Sequence, residues 1–193
     1  MADLGPRDIV DRIVEQWAGE RPDLDTRAMA TIGRVQRVAR YLDREIEREL
    51  ARFGVNLNEF NVLAALRRSG APYQLAPAEL SRMLLLTSGG LTKRIDRLHH
   101  AGLVTRVPDP EDGRGLLVGL TERGNGLLTE AMTAHIQNEN KALAALTPEE
   151  SDQLAALLRT LLLSYGDGSQ HHRDRNYRLE RRRSEAPHAN SPD

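Results

Sequence analysis

Residues 91–124 read LTKRIDRLHHAGLVTRVPDPEDGRGLLVGLTERG, and a change of hydrophobic period within this stretch decides the fold. Its first apolar positions recur at the spacing of one helical face, and they are Leu91, Ile95 and Leu98. After Gly102, which is suited to end a helix, the period becomes that of a strand, so two short strands are predicted over 103–107 and 116–120. The eight residues between them are rich in Pro, Asp and Gly and are too many for a two-residue turn. The stretch therefore predicts a helix followed by a β-hairpin with an extended tip.

Further helices are predicted on both sides of this stretch. Those before it cover residues 6–20 and 26–53, a third segment that Asn58 caps, a fourth that Pro77 opens, and the helix that follows the turn at Thr87 and Ser88. Those after it run from Thr121 to about Leu146 and from Thr147 to Gly166. The helix over 26–53 carries an apolar stripe made of Met29, Ile32, Val35, Val38, Leu42, Ile46 and Leu50. The sequence thus predicts a mainly α protein with a small β-hairpin.

The composition excludes several classes of protein. The chain of 193 residues contains no cysteine, so disulfides, thiolate metal sites and cysteine nucleophiles are excluded. Its 27 basic and 28 acidic residues give a net charge of −1, so any contact with DNA must come from a local cationic patch. No run approaches the roughly 20 apolar residues of a membrane span, and the acidic N-terminus has no apolar signal core. We therefore expect a soluble, cytoplasmic protein with no membrane partner.

Three helices, a hairpin with a long tip and a further helix form the layout of a winged helix-turn-helix domain. In that layout the helix after the turn packs through its apolar stripe and presents its other face to the DNA major groove. The candidate DNA contacts on that face are Ser88, Gly89, Thr92, Lys93, Arg94 and Arg97. Small residues allow close approach, exposed amides and hydroxyls form hydrogen bonds, and the cations attract phosphate. The alternative interpretation is an ordinary helix cap and a solvated helix face.

The tip of the hairpin, called the wing below, carries a second candidate contact. Arg114 stands between two glycines, and an arginine on a thin loop can reach into the minor groove. Asp112 is expected to orient its guanidinium. The neighbouring acids Asp109 and Glu111 weaken the local positive field, so we expect modest nonspecific affinity for DNA.

From about Asn58 to Gly124 the chain resembles the MarR family of bacterial transcriptional regulators. The shared features are the stretch quoted above, the preceding LAPAELSRMLLLTSGG (75–90), the Asp112-Gly113-Arg114 triplet and the Leu120-Thr121 pair. The flanking helices extend the resemblance over roughly residues 26–165. The resemblance implies a regulator, commonly a repressor, that binds a pseudo-palindromic site on double-stranded DNA through the helix at 88–101, called the recognition helix below.

The resemblance also implies a homodimer in which the terminal helices interleave. The predicted parts are an extra N-terminal helix over 1–25, a helical dimerisation region from 26–55 and 121–166, a winged domain over 56–120 and a tail over 167–193. The leucines between Leu143 and Leu162 form helical stripes too apolar to stand alone, although packing within one chain would also account for them. The tail carries six basic and five acidic residues without periodicity, so we expect it to be disordered.

The N-terminal helix is similar to that of a urate-responsive subgroup of this family. Members of the subgroup have a tryptophan on this helix, an aspartate early in the third helix, an arginine seven residues later and an arginine on the first wing strand. The matching positions here are Trp17, Asn61, Arg68 and Arg106. Asn61 replaces the aspartate and cannot act as a base or an ion-pair partner, so the pocket would be more cationic. The resemblance implies a small anionic or aromatic effector such as urate. The alternatives are a core tryptophan and surface arginines.

Other classes of function have weaker support in the sequence. No Ser-His-Asp or paired-carboxylate arrangement, P-loop or GxGxxG motif is present, so neither catalytic residues nor a cofactor are expected. A metal-responsive regulator is the alternative, with His99, His100 and His135 as candidate zinc ligands, but they form no ligand-spaced cluster that would mark a metal site. A pure protein-interaction module would lack sequence-specific, salt-dependent binding to DNA.

Overall fold

The computed structural model describes residues 6–110 and 115–166, and within them it is mainly α with one small sheet. The elements in chain order are α1 (Ile9–Glu20), α2 (Arg27–Ala51), α3 (Leu57–Arg68), β1 (Gln74–Leu75), α4 (Pro77–Leu84), α5 (Ser88–His100), β2 (Val104–Pro108), β3 (Leu116–Leu120), α6 (Glu122–Ala142) and α7 (Pro148–Ser164). The predicted fold class is confirmed. The expected disorder of residues 167–193 concerns a segment outside the described residues.

Side-chain caps define where most of these helices begin. Thr87, Thr121 and Thr147 each accept a backbone N–H from the residue three positions on, and Thr147 forms the predicted capping box with Glu150. The prediction that Asn58 caps α3 is wrong, because the cap is Asn56. The Asn56 side chain accepts the Glu59 N–H at 3.0 Å, and the Glu59 carboxylate accepts the Asn56 N–H at 3.1 Å. Only Asn56 has a glutamate three residues later to close such a box.

Helix α6 ends earlier than its apolar pattern predicts. α6 ends at Ala142 rather than near Leu146. The next residues tighten into a turn in which the Leu146 N–H bonds the Leu143 carbonyl at 2.9 Å. This turn carries the backbone directly into the Thr147 cap of α7.

The wing strands belong to a three-stranded antiparallel sheet in the order β1-β3-β2. β2 and β3 pair from Val104 opposite Leu120 to Pro108 opposite Leu116, as the change of period predicts. The prediction of a two-stranded hairpin is incomplete, because Gln74 and Leu75 add β1 on the other edge of β3. Two residues are too few to show a strand period in the sequence.

One hydrophobic core joins α3, α4, α5 and the sheet to the end of α2 and to α6. Its fully buried large side chains are Leu50, Val62, Leu63, Leu66, Leu80, Leu91, Leu98, Val104 and Val118. α3 supplies more of this core than any other element, and α4, α5 and the sheet pack around it. The recognition helix α5 is therefore positioned by its three apolar residues, as predicted.

A polar junction fixes α5, the wing and α6 relative to one another. The Thr121 hydroxyl lies 2.9 Å from the Gly102 carbonyl oxygen and 3.0 Å from that of Leu103, to which it donates, and it accepts the Gly124 N–H at 2.9 Å. The Thr121 N–H also donates to the Leu103 carbonyl at 3.2 Å. A Cβ on Gly124 would lie 2.0 Å from this same carbonyl oxygen, so the crossing requires glycine.

Helix α1 is attached to α2 by charge and by close packing. Asp8 and Asp11 both bind the guanidinium of Arg34, at 2.8 and 2.6 Å. The hydrogen bond from Arg34 lowers the pKa of Asp11, so this attachment weakens only as the pH falls through that lowered pKa. Val10 is buried, and a Cβ on Gly33 would come within 3.1 Å of its side chain.

Many apolar residues of the long helices are not buried within one chain. Of the predicted α2 stripe only Leu50 is fully buried, and Met29, Ile32, Val35 and Val38 are exposed. No residue of α7 is buried. No helix in residues 6–110 and 115–166 is long and apolar enough to cross a membrane.

The crossing at Gly124 can be tested by adding one methyl group. We expect Gly124→Ala to lower the free energy of unfolding by roughly 2 kcal/mol or more, because the Leu103 backbone must shift. The matched control is Gly126→Ala on the same helix, where a Cβ would meet nothing within 4 Å. This control should gain stability, by about 0.5–1 kcal/mol. Urea unfolding of both variants at one protein concentration measures the difference, and equal stability would contradict the tight crossing.

Candidate functional site

The recognition helix α5 presents its predicted contact residues on the side opposite the core. Thr87 caps the helix by accepting the Gly90 N–H at 3.3 Å. The exposed members of the predicted set are Ser88, Gly89, Thr92, Lys93 and Arg97, whereas Arg94 is half-buried. The predicted set thus shares one helix and is mostly accessible.

The cations of this helix differ in whether they already have a hydrogen-bond or ion-pair partner. Arg94 donates to the Gly90 carbonyl at 2.7 Å and so folds back over the first turn. Arg97 forms an ion pair with Glu59 of α3 at 2.9 Å. Lys93 has no hydrogen-bond or ion-pair partner within residues 6–110 and 115–166. The Thr92 hydroxyl donates to the Ser88 carbonyl at 2.9 Å, which leaves its oxygen available as an acceptor.

The two glycines at the start of α5 differ in what their surroundings require. A Cβ on Gly90 would lie 3.1 Å from both the Arg94 guanidinium and the Thr87 hydroxyl. A Cβ on Gly89 would meet nothing within 4 Å, and its φ is not in the left-handed region. The fold therefore does not require glycine at position 89.

Two acidic residues that were not predicted from the sequence form ion pairs with arginines at this surface. Glu59 is 3% exposed, and its carboxylate joins the α3 cap to Arg97. Asp96 of α5 forms an ion pair with Arg106 of β2. The Asn56-to-Glu59 spacing could have indicated the first carboxylate, but nothing local in the sequence indicates the second pair.

The four candidate effector residues lie on three different elements. Trp17 is on α1 and is 48% exposed. Asn61 and Arg68 lie two turns apart on α3, and Arg106 is turned toward Asp96. A cavity of about 180 Å³ between α1 and α2 is lined by Val10, Ile13, Met29, Gly33, Gln36, Arg37 and Arg40 and includes none of the four. Within one chain, then, Asn61 and Arg68 share a helix, whereas Trp17 and Arg106 lie on two other elements.

The remaining candidates are the wing tip and the histidines. Asp112 and Arg114 lie outside the described residues. His99 and His100 are exposed on α5, whereas His135 lies on α6 with its ring 5.0 Å from that of Phe60 and its Nε2 3.2 Å from Glu139. In the described part of the chain, no group of three or more His, Cys, Asp or Glu residues could hold a metal ion.

Comparison with known proteins identifies the family. The MarR family model matches residues 53–115, which include α3, α4, α5 and β2. The regulator PecS of Dickeya dadantii, described as an HTH-type transcriptional regulator, is 38% identical over 149 residues, which are 77% of this chain and 90% of PecS. The multiple antibiotic resistance protein MarR of Salmonella typhimurium is 32% identical over 121 residues, 62% of this chain and 82% of that protein.

Solved structures agree with this assignment. A crystal structure of a mutant MarR from E. coli complexed with operator DNA is 26% identical, has a TM-score of 0.61 and covers 81% of this chain and 99% of that one. The similar proteins are transcriptional regulators rather than enzymes. With PecS matched along nine-tenths of its length and the recognition helix and wing strands in place, the chain belongs to the MarR family of transcriptional regulators.

Proposed function

We propose that the chain is a homodimeric regulator that binds double-stranded DNA through α5 and the wing and that a small anionic effector releases it. The observation that best supports DNA binding is that position 89 is a glycine although the fold does not require one there. Glycine costs helix stability relative to alanine, and nothing in the described protein occupies the space of its missing Cβ. A close approach by DNA at this point explains why position 89 is a glycine. The related MarR structure was solved with operator DNA.

The other residues of α5 have complementary roles in this proposal. Lys93, which has no partner in the described part of the chain, contacts phosphate, and Ser88 and Thr92 form hydrogen bonds with bases or phosphate. Arg94 and Arg97 add charge but must leave existing partners to make direct contacts. Arg114, oriented by Asp112, enters the minor groove.

A methyl group at position 89 tests the DNA interface without removing any charge. We expect Gly89→Ala to bind the duplex that the parental protein selects from a random pool about tenfold or more weakly, because the helix can no longer approach as closely. Its thermal stability should rise, since alanine favours the helix. Fluorescence anisotropy and thermal melts measure the two effects.

The control for this experiment is Gly126→Ala, which adds the same methyl group to open space on α6. It should gain stability without losing affinity for the duplex. Unchanged binding by Gly89→Ala would refute a close approach of DNA at the start of α5.

The dimer is supported by the apolar surface that one chain leaves uncovered. The exposed leucines of α7 are Leu154, Leu157, Leu158, Leu161, Leu162 and Leu163. Such a continuous apolar surface is unusual on a soluble monomer, and a second copy of the chain offers a matching one. The exposed stripe of α2 adds apolar surface of the same kind.

Charges placed on α7 should separate the two copies. We expect the double variant Leu157→Glu/Leu161→Glu to weaken self-association by roughly 100-fold or more, because two carboxylates from each copy would be buried in the interface. Sedimentation equilibrium measures the dissociation constant. Leu116→Glu, an exposed leucine on β3, is the control and should leave it unchanged. A parental protein that sediments as a monomer would disprove the dimer.

The effector proposal rests on Arg68, Arg106 and Trp17 from the family resemblance. Arg68 is exposed at the end of α3 and has no ion-pair partner in the described part of the chain, so it is available to an anion. Asn61, two turns earlier, is half-buried and can supply a neutral hydrogen bond. Release of DNA then requires that the effector bind the DNA-free arrangement more tightly than the DNA-bound one.

Trp17, the only tryptophan of the chain, is the expected fluorescent reporter of effector binding. We expect urate to quench Trp17 fluorescence saturably, after correction for absorbance, and Arg68→Ala to weaken that binding by roughly tenfold or more. The control is Arg67→Ala, the neighbouring arginine, whose guanidinium is held by Asn125 and lies 4.9 Å from the centre of the Tyr73 ring. If urate has no effect on the parental protein, urate is not the effector, and aromatic carboxylates become the next ligands to titrate.

A further inference from the structure

The recognition helix carries a single acidic residue, and that residue has a partner on the wing. Asp96 is the only aspartate or glutamate in α5, and its carboxylate pairs with the guanidinium of Arg106 on β2. The two residues are ten positions apart in sequence and lie on different elements, so the pair exists only because β2 packs against α5.

Asp96 lies on the face that the proposed function assigns to DNA. It follows Gly89 by seven residues and Lys93 by three, which places all three on one side of the helix. Its side chain is 54% exposed, so burial does not hide its charge. A carboxylate on this face would repel phosphate and offset the charge of Lys93.

Arg106 is placed to cancel this unfavourable charge. Its own side chain is 37% exposed, and its guanidinium is turned back onto α5 rather than outward. The neighbouring cation Arg97 is already balanced by the buried carboxylate of Glu59, so it does not neutralise Asp96 as well. The local charge balance of α5 therefore depends on Arg106.

We propose that Arg106 supports DNA binding through Asp96, by neutralising a carboxylate on the DNA-facing side of the recognition helix. An anion that binds the Arg106 guanidinium leaves the Asp96 carboxylate without its partner. Anion binding and DNA binding therefore compete for the same side chain. The DNA part of this inference needs no effector, whereas the competition part rests on the effector site proposed above.

A double-mutant cycle tests the DNA part. On the selected duplex, we expect Arg106→Ala to bind about tenfold more weakly than the parental protein, because Asp96 is left uncompensated. Asp96→Asn should bind at least as tightly as the parental protein. The double variant Asp96→Asn/Arg106→Ala should return to within about threefold of Asp96→Asn, since no carboxylate remains to neutralise.

Two further variants separate this role from simpler ones. Arg106→Lys keeps the positive charge and should bind within about threefold of the parental protein. Arg52→Ala breaks the pair between the exposed Arg52 and the half-buried Glu49 at the C-terminal end of α2, and it should leave DNA binding unchanged. Thermal melts of all variants confirm that they are folded.

Two outcomes would overturn the proposal. If the double variant binds as weakly as Arg106→Ala, Arg106 contacts DNA directly; the slope of log affinity against log salt would then fall by about 0.9 in both variants. If Arg106→Ala binds DNA as well as the parental protein, the pair has no role in DNA binding.

The competition part is tested with urate as the probe. Asp96→Asn should still bind urate, as reported by Trp17, but urate should release it from DNA several-fold less effectively than it releases the parental protein. Equal release of both proteins would refute the competition. If urate fails to bind the parental protein, the effector assignment fails, and the double-mutant cycle still decides whether Arg106 acts through Asp96.

Discussion

The arrangement of this molecule depends on one polar crossing, in which the Thr121 side chain and the bare Cα of Gly124 close around the Gly102 and Leu103 carbonyls. The end of the recognition helix, the start of the wing and the start of α6 all meet there. Thr121, at the start of α6, holds these two carbonyls. The orientation of the outer face of α5 is therefore fixed relative to the long helices. The proposed release of DNA by an effector requires such a joint to be stiff, since a loose joint would absorb the change.

Charge on this protein is organised locally, and the near-zero net charge hides that organisation. Arg94 is held by its own helix, Arg97 by Glu59, and Arg106 by Asp96, so the count of cations overstates the field around α5. Lys93 is the one cation of that helix without a partner in the described part of the chain. Modest nonspecific affinity, with binding concentrated at a specific site, is consistent with this balance.

The elements that sequence analysis predicted well are those whose signal is local. α5 and the wing strands follow from a change of hydrophobic period, and the caps at Thr87, Thr121 and Thr147 follow from residue type. The error at Asn58 arose because two asparagines lie close together and only the Glu59 spacing distinguishes them. β1 was missed because a two-residue strand has no period, and its pairing depends on β3 more than forty residues later.

The sequence by itself determined the helices, the wing strands, the family resemblance and the residue types on the outer face of α5, because each is encoded within one element. Tertiary structure alone decided which charges meet between different elements. Glu59 reaches Arg97 and Asp96 reaches Arg106 only once α3, α5 and β2 have packed around the core. It also decided that the α2 and α7 stripes stay uncovered within one chain. The physical reason is that periodicity specifies which face of an element is apolar, whereas the partner of that face depends on how all the elements pack.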